Sequence, residues 1–129
     1  MGRITGVHHV AVFPTAGQYK KTVEFYTEIL GFEVKQSWGS EETPCLMVSC
    51  GDNSCMEIIP AETEAAAGGP LKHIAFSCGD GLDGIVEDVR RAGYMVKAEP
   101  NDLELCGKPI RNAFFFGPTG EEIELFWEK

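Results

Sequence analysis

From Ile4 to Phe13 apolar and polar residues alternate, with Val10 and Val12 on one face and His9, Ala11 and Phe13 on the other. That period of two predicts a strand, which Pro14 stops. Thr15 stands three residues before Gln18, a capping-box spacing that opens a helix. Tyr19, Val23, Tyr26 and Leu30 then recur at helical spacing and form one apolar stripe. Gly31 supplies the left-handed cap, and a strand begins at once with Phe32-Glu33-Val34-Lys35. Two more strands, Cys45–Cys50 and Cys55–Pro60, flank the turn-rich connection Gly51-Asp52-Asn53-Ser54. The order is β-α-β-β-β.

Between 61 and 70 alanine, glutamate and glycine dominate and long apolar side chains are absent, as expected of a linker. The pattern then repeats. Leu71–Cys78 is a strand, Gly79-Asp80-Gly81 a turn, and Leu82, Ile85, Val86 and Val89 a helical stripe ending at Gly93. Tyr94–Ala98 is the next strand, and Pro100–Pro109 reads as a loop with a bulge or short turn. Ile110–Phe116 and Glu121–Trp127 form a last hairpin around Gly117-Pro118-Thr119-Gly120. His73 follows His9 by 64 residues, Gly93 follows Gly31 by 62, and Glu124 follows Glu57 by 67. Nearly constant offsets are the mark of a duplicated unit. The expected fold is therefore α+β: one domain, 1–129, made of modules 4–60 and 71–128 joined by linker 61–70.

Composition changes this picture little but removes whole classes of function. A net charge of −9 argues against nucleic acid and against anionic membrane surfaces, both of which call for clustered Lys and Arg. No apolar run approaches the roughly 20 residues of a membrane-spanning helix. Met1-Gly2-Arg3-Ile4-Thr5 has no apolar core of a secretion signal. The five cysteines, Cys45, Cys50, Cys55, Cys78 and Cys106, contain no Cys-x-x-Cys pair and read as reduced thiols of a cytoplasmic protein.

Candidate chemistry comes from strand parity. Each repeat offers one histidine from its first strand, His9 or His73, and one glutamate from its last, Glu57 or Glu124. All four stand among apolar neighbours, where an ionised carboxylate is costly unless it is paired or bound to a cation. Two imidazoles and two carboxylates suit a divalent first-row metal with positions left open for substrate, and are too oxygen-rich for a closed structural zinc site. His8, on the face opposite His9, reads as a structural or exposed residue. Trp38 and Arg111 could line a pocket, but packing and surface roles explain both.

The segments HHVAVF, VEFYTEILGFEV, CMEIIP, LKHIAF and FFFGPTGEEIELF resemble those of the vicinal-oxygen-chelate superfamily, and the resemblance spans essentially the whole chain. That superfamily includes glyoxalase I, methylmalonyl-CoA epimerase, extradiol dioxygenases and fosfomycin- or bleomycin-resistance proteins. It implies paired β-α-β-β-β modules forming half-barrel sheets, helices outside, around a metal or ligand. Its ligand positions fall on His9, Glu57, His73 and Glu124. This set is similar to the short bacterial glyoxalase I type, which uses nickel or cobalt; zinc, manganese and iron stay open. The dioxygenases use a His/His/Glu triad, the epimerases usually place a glutamine where Glu57 stands, and drug-sequestering resistance proteins often lack the ligands.

Two positions depart from glyoxalase I. Phe13 stands where an arginine is usual, and Pro60 and Ala61 where an asparagine is usual. Both are positions that hold the charged groups of glutathione. The resemblance therefore implies the metal chemistry without implying a glutathione adduct. It implies a lyase or isomerase that moves a proton next to a carbonyl through a metal-stabilised enediolate, with Glu124 by preference, and Glu57 as its counterpart, shuttling the proton. The alternatives are an extradiol-type dioxygenase or epimerase of the same superfamily, and a non-catalytic small-molecule binding protein. A small-molecule substrate and a homodimer are expected, with the four ligands supplied by one chain or by two.

Overall fold

A computed structural model describes residues 2–62, 70–117 and 120–129. Within them the elements are β1 (Ile4–Val12), α1 (Tyr19–Glu24), β2 (Glu33–Trp38), β3 (Cys45–Ser49), β4 (Cys55–Ile58), β5 (Leu71–Cys78), α2 (Leu82–Arg91), β6 (Val96–Leu105), β7 (Lys108–Phe116) and β8 (Glu122–Glu128). The order is β-α-β-β-β twice over, the α+β architecture expected from the pattern. Most of the linker, 63–69, and the turn residues Pro118 and Thr119 lie outside the described residues. The chain gathers into two compact units: His9–Lys72, and the N-terminal residues through His8 together with His73–Lys129. The division falls inside β1, between the two adjacent histidines.

In the first of these units the strand order is β2-β3-β4-β1. β1 and β4 run parallel, whereas β3 pairs antiparallel with both β2 and β4. Tyr19 of α1 packs on Leu46, Val48 and Ile58, with Val12, Val23, Tyr26, Phe32 and Met56 around them. Burial raises the pKa of the Tyr19 phenol, and its hydroxyl donates to the Pro44 carbonyl. The helix thus covers one face of the sheet, leaving His9, Ala11 and Glu57 on the other by alternation.

The helix departs from the sequence expectation at both ends. It starts at Tyr19, and only half of the capping box forms. The Gln18 side chain accepts from the Thr15 N–H at 3.1 Å, while the Gln18 N–H donates to the Thr15 carbonyl rather than to its hydroxyl. After Glu24 the backbone widens into a π turn, Phe25–Ile29, closed by the Leu30 N–H donating to the Phe25 carbonyl at 3.0 Å. One extra residue per turn shifts the stripe. Leu30, predicted to face the core, is therefore about half exposed, and Ile29 is more so. Gly31, at φ +78°, ends the helix as its spacing predicts.

The second unit has the order β5-β8-β7-β6, with β5 and β8 parallel and β7 antiparallel to both neighbours. Leu82, Ile85 and Val86 of α2 bury against Cys78, Ala113, Phe115 and Leu125, and Gly93 closes the helix at φ +95°. Ala75, Ile110 and Phe126 form a smaller cluster.

The loop expected over Pro100–Pro109 is overturned. β6 runs through to Leu105 and pairs with β7 down to the closing pair Leu105–Lys108. Pro100 survives inside a strand for two reasons. β6 is the last strand of its sheet, and its register slips between Ala98 and Asn101, where no ladder bond is demanded of the missing N–H. The turn is only Cys106-Gly107, at φ 52° and +79°, the double left-handed geometry of a two-residue hairpin.

Candidate metal centre

The two parallel strand pairs place the candidate ligands identically. In β1 and β4, Ala11 lies beside Glu57, and in β5 and β8, Ala75 lies beside Glu124. Each alanine is two residues beyond its histidine and fully buried. A methyl group at that point leaves room for the carboxylate to lean along the strand toward the imidazole. His9 Nε2 is 3.2 Å from Glu57 Oε1, and His73 Nε2 is 3.1 Å from Glu124 Oε1. His9, His73 and Glu124 are buried, and the Glu57 side chain is 12% exposed.

These separations fit a shared cation. Two donors each about 2.1 Å from one ion, at right angles, stand about 3.0 Å apart. Each pair therefore has the spacing of neighbouring ligands on a divalent ion, and imidazole with carboxylate is a donor mixture that first-row metals accept. Burial argues the same way within each pair, since a carboxylate withdrawn from water needs compensating positive charge.

Each pair is held by its own surroundings. Asn112 Nδ2 donates to Glu124 Oε2 at 3.0 Å, and the Phe114 ring meets His73 edge-on with centroids 5.6 Å apart. Phe114 is also the residue paired with Glu124 across β7 and β8. Its counterpart in the other unit is the buried Met47, paired with Glu57 across β3 and β4. Cys45, two residues earlier, has its thiol pKa raised by burial and by the Glu57 charge.

The remaining residues singled out in the sequence have other work. His8 bonds Glu128, Nε2 to Oε1 at 2.6 Å, and lies against the Phe126 ring at 4.1 Å between centroids, so its role is structural. Arg111 grips Asp83 through Nε and Nη2, at 2.9 and 2.8 Å, and reaches Asp102 through Nη1. Trp38 is half-buried and pairs with Cys45 at the edge of β2 and β3. None of the five cysteines, all among the described residues, is in a disulfide. Asn112 was missed by the sequence reading, although a signal existed. Asn112 follows Cys45 by 67 residues, the offset that separates the two glutamates, but the residue types differ and so the match is hidden.

Duplicated β-α-β-β-β units of this kind are the vicinal-oxygen-chelate fold. The profile of the Glyoxalase/Bleomycin resistance protein/Dioxygenase superfamily matches residues 6–125, and the chain belongs to that superfamily. It is 33% identical over 133 residues to the uncharacterized protein YwkD of Bacillus subtilis (strain 168), covering 95% of this chain and 97% of that one. Among solved structures, methylmalonyl-CoA epimerase from Mycobacterium tuberculosis shares the fold, with a TM-score of 0.74 at 18% identity over 98% of this chain and 90% of that one. Streptomyces coelicolor methylmalonyl-CoA epimerase, solved with 2-nitronate-propionyl-CoA, gives 0.72 at 25% identity over 97% and 98%. Among the described residues no helix is long and apolar enough to cross a membrane.

Proposed function

We propose that this chain is a divalent-metal-dependent enzyme that moves a proton at a carbon next to a carbonyl, a glyoxalase I-like lyase or isomerase. The observation that carries this reading is the recurrence of one buried His–Glu pair, in one register, in both repeats. His9, Glu57, His73 and Glu124 would hold the ion, with nickel or cobalt favoured and zinc, manganese or iron as alternatives. When bound, the ion supplies Lewis acidity toward the substrate's carbonyl oxygens.

The chain's own residues do the rest. The imidazoles would hold the ion as neutral ligands, so the charge balance at the site would be set by the two carboxylates. Either Glu124 or Glu57 takes the proton from the carbon and returns it. Met47 and Phe114, beside the two glutamates, keep water from competing for that proton. A small carbonyl compound or thiol adduct suits this chemistry better than glutathione itself, because Phe13, Pro60 and Ala61 offer no side-chain charge to hold it. Five cysteines without a disulfide suit a cytoplasmic protein.

A second reading is supported by the likeness to methylmalonyl-CoA epimerase at 25% identity and to a further such epimerase, solved with methylmalonyl-CoA, at 26%. Epimerising an acyl-CoA thioester is the same proton transfer at a different substrate, and Glu57 in place of the usual glutamine is what distinguishes this chain.

One experiment separates the readings. The purified chain is loaded with each metal, metal per chain is measured by mass spectrometry, and substrates are followed by NMR in deuterated water. Metal-dependent deuterium uptake beside the carbonyl of thiohemiacetals is the expected outcome, and uptake only into acyl-CoA thioesters selects the epimerase. Oxygen uptake with a catechol and no deuterium exchange would replace both with ring cleavage. Ligand binding that survives chelation, without any turnover, would leave a binding protein.

A further inference from the structure

We propose that the first unit carries a second small-molecule site, a cavity between the end of β1 and helix α1 that takes a flat aromatic anion such as an aryl carboxylate. The site is distinct from the metal-dependent reading above and does not rest on it. The cavity has a volume of about 450 Å³, inside the range of roughly 300–1,000 Å³ in which small-molecule sites fall. Its lining comes wholly from the unit His9–Lys72, and none of the four candidate metal ligands lines it.

The walls are aromatic and held in place. Phe13 lines the cavity together with Val12, which packs under α1, and the Phe13 N–H donates to the Pro70 carbonyl at 2.7 Å. Phe25 and Tyr26 come from the helix side. Their rings meet edge to face, with centroids 5.1 Å apart and planes at 89°, and Tyr26 is stacked in turn on Phe32 at 6.0 Å. Phe25 is also the first residue of the π turn. Such turns give up regular helical bonds and recur at functional sites. Here the turn starts at a cavity wall, and Phe25, outside the α1 residues that pack on the sheet, is 44% exposed. A flat ring between these side chains would bury that aromatic surface and stack on it.

Charge selects among flat ligands. Lys21 lines the cavity, and Lys72 Nζ stands 5.4 Å from the centroid of the Phe13 ring. Among the described residues neither lysine is paired with a carboxylate. In a chain of net charge −9, two such cations at one cavity reverse the local sign. Gln18, also in the lining, accepts from the Thr15 N–H through Oε1 at 3.1 Å, which leaves its amide nitrogen to donate. Aromatic walls thus hold a ring, while two ammonium groups and an amide meet an anion with charge-assisted bonds. A cationic ligand would find no counter-charge there, and a neutral one would leave the lysines unused.

The test uses the full chain and two fluorescent probes of one ring system: 1-anilinonaphthalene-8-sulfonate, an anion, and N-phenyl-1-naphthylamine, its uncharged relative. The sulfonate is expected to bind saturably, at about one per chain, and several-fold tighter than the neutral probe. 1-Naphthoate should displace it, and a chelator should leave it in place. Lys21→Glu should weaken the sulfonate about 5- to 30-fold and hold the neutral probe within about twofold. Phe25→Ser should weaken both probes by roughly 10-fold or more.

No saturable binding, or affinities unchanged in both variants, would overturn the site. Equal affinity of the parent for the two probes would overturn the anion assignment. Loss of the sulfonate on chelation would put that probe on the ion and end the proposal as well. Lys21 is exposed, so Lys21→Glu carries the test even if Phe25→Ser fails to fold.

Discussion

Ala11 and Ala75 show how much of this centre depends on residues with no chemistry of their own. Each sits beside its glutamate with no exposed surface, and any larger side chain would fill the space through which the carboxylate reaches the histidine. Ala75→Leu should cost about 1–3 kcal/mol through overpacking, measured by urea unfolding, with metal uptake impaired as well. A second residue-scale test concerns Asp83. Arg111 binds its carboxylate through two nitrogens and holds its pKa below the ordinary value. A group depressed in the folded state adds stability above its unfolded pKa, and loses it as pH falls through the folded one. The melting-temperature gap between the parent and Asp83→Asn should therefore be present at neutral pH and close below about pH 4. A gap that persists in stronger acid would show that Asp83 acts through something other than its charge.

Among the elements, the β6–β7 hairpin departs most from its sequence pattern. The turn signal at Cys106-Gly107 lacks the Asn-Gly or Asp-Gly that marks such turns, and Pro100 argues against a strand on local grounds. Cys106 holds φ 52°, a conformation unfavourable for most side chains and tolerated by asparagine. Cys106→Asn should raise stability by about 0.5–1 kcal/mol, seen as a higher denaturation midpoint at unchanged slope. Helix α1 offers the contrasting case. The π turn rotates Leu30 to the surface, so Leu30→Gln should shift stability by no more than about 0.5 kcal/mol. Leu125→Ala, in the buried cluster under α2, should cost about 2–5 kcal/mol. If Leu30→Gln proved as damaging as Leu125→Ala, Leu30 would belong to a packed face after all. The pattern of apolar residues could not reveal the π turn, because a single added residue leaves the local spacing intact while turning the face.

At the scale of the whole molecule, the proposed metal centre ties stability to the ion. A ligand that binds only the folded chain stabilises it by mass action, by about 2.7 kcal/mol at one hundred times its dissociation constant. Nickel or cobalt should therefore raise the melting temperature, and a chelator should reverse the rise. A melting temperature indifferent to every first-row metal would remove the centre from consideration. The chain is proposed to pair as a homodimer, so sedimentation should give about twice the mass of 14.1 kDa, and mixing His9→Ala with His73→Ala chains, which recovers metal binding only if each site draws on both chains, then distinguishes ligands drawn from one chain from ligands drawn from two. A monomeric mass with one ion per chain would leave the first arrangement alone.

The amino-acid sequence by itself determined the repeat, the faces of the long strands, the glycines that close both helices and the pairing of one histidine with one glutamate in each half. These are properties of short stretches, where side-chain alternation and capping act over a few bonds, and duplication lets each half vouch for the other. Only the tertiary structure decided that Asn112 holds Glu124, that β6 continues past Pro100, that Leu30 turns outward and that His8 serves Glu128 rather than the candidate centre. Each of these depends on register between strands far apart in the chain or on a backbone departure a single residue long. Periodicity carries no record of either. The two histidines of β1 show the boundary well: alternation separates His9 from His8, but the glutamates they meet, Glu57 and Glu128, are chosen by how distant strands align.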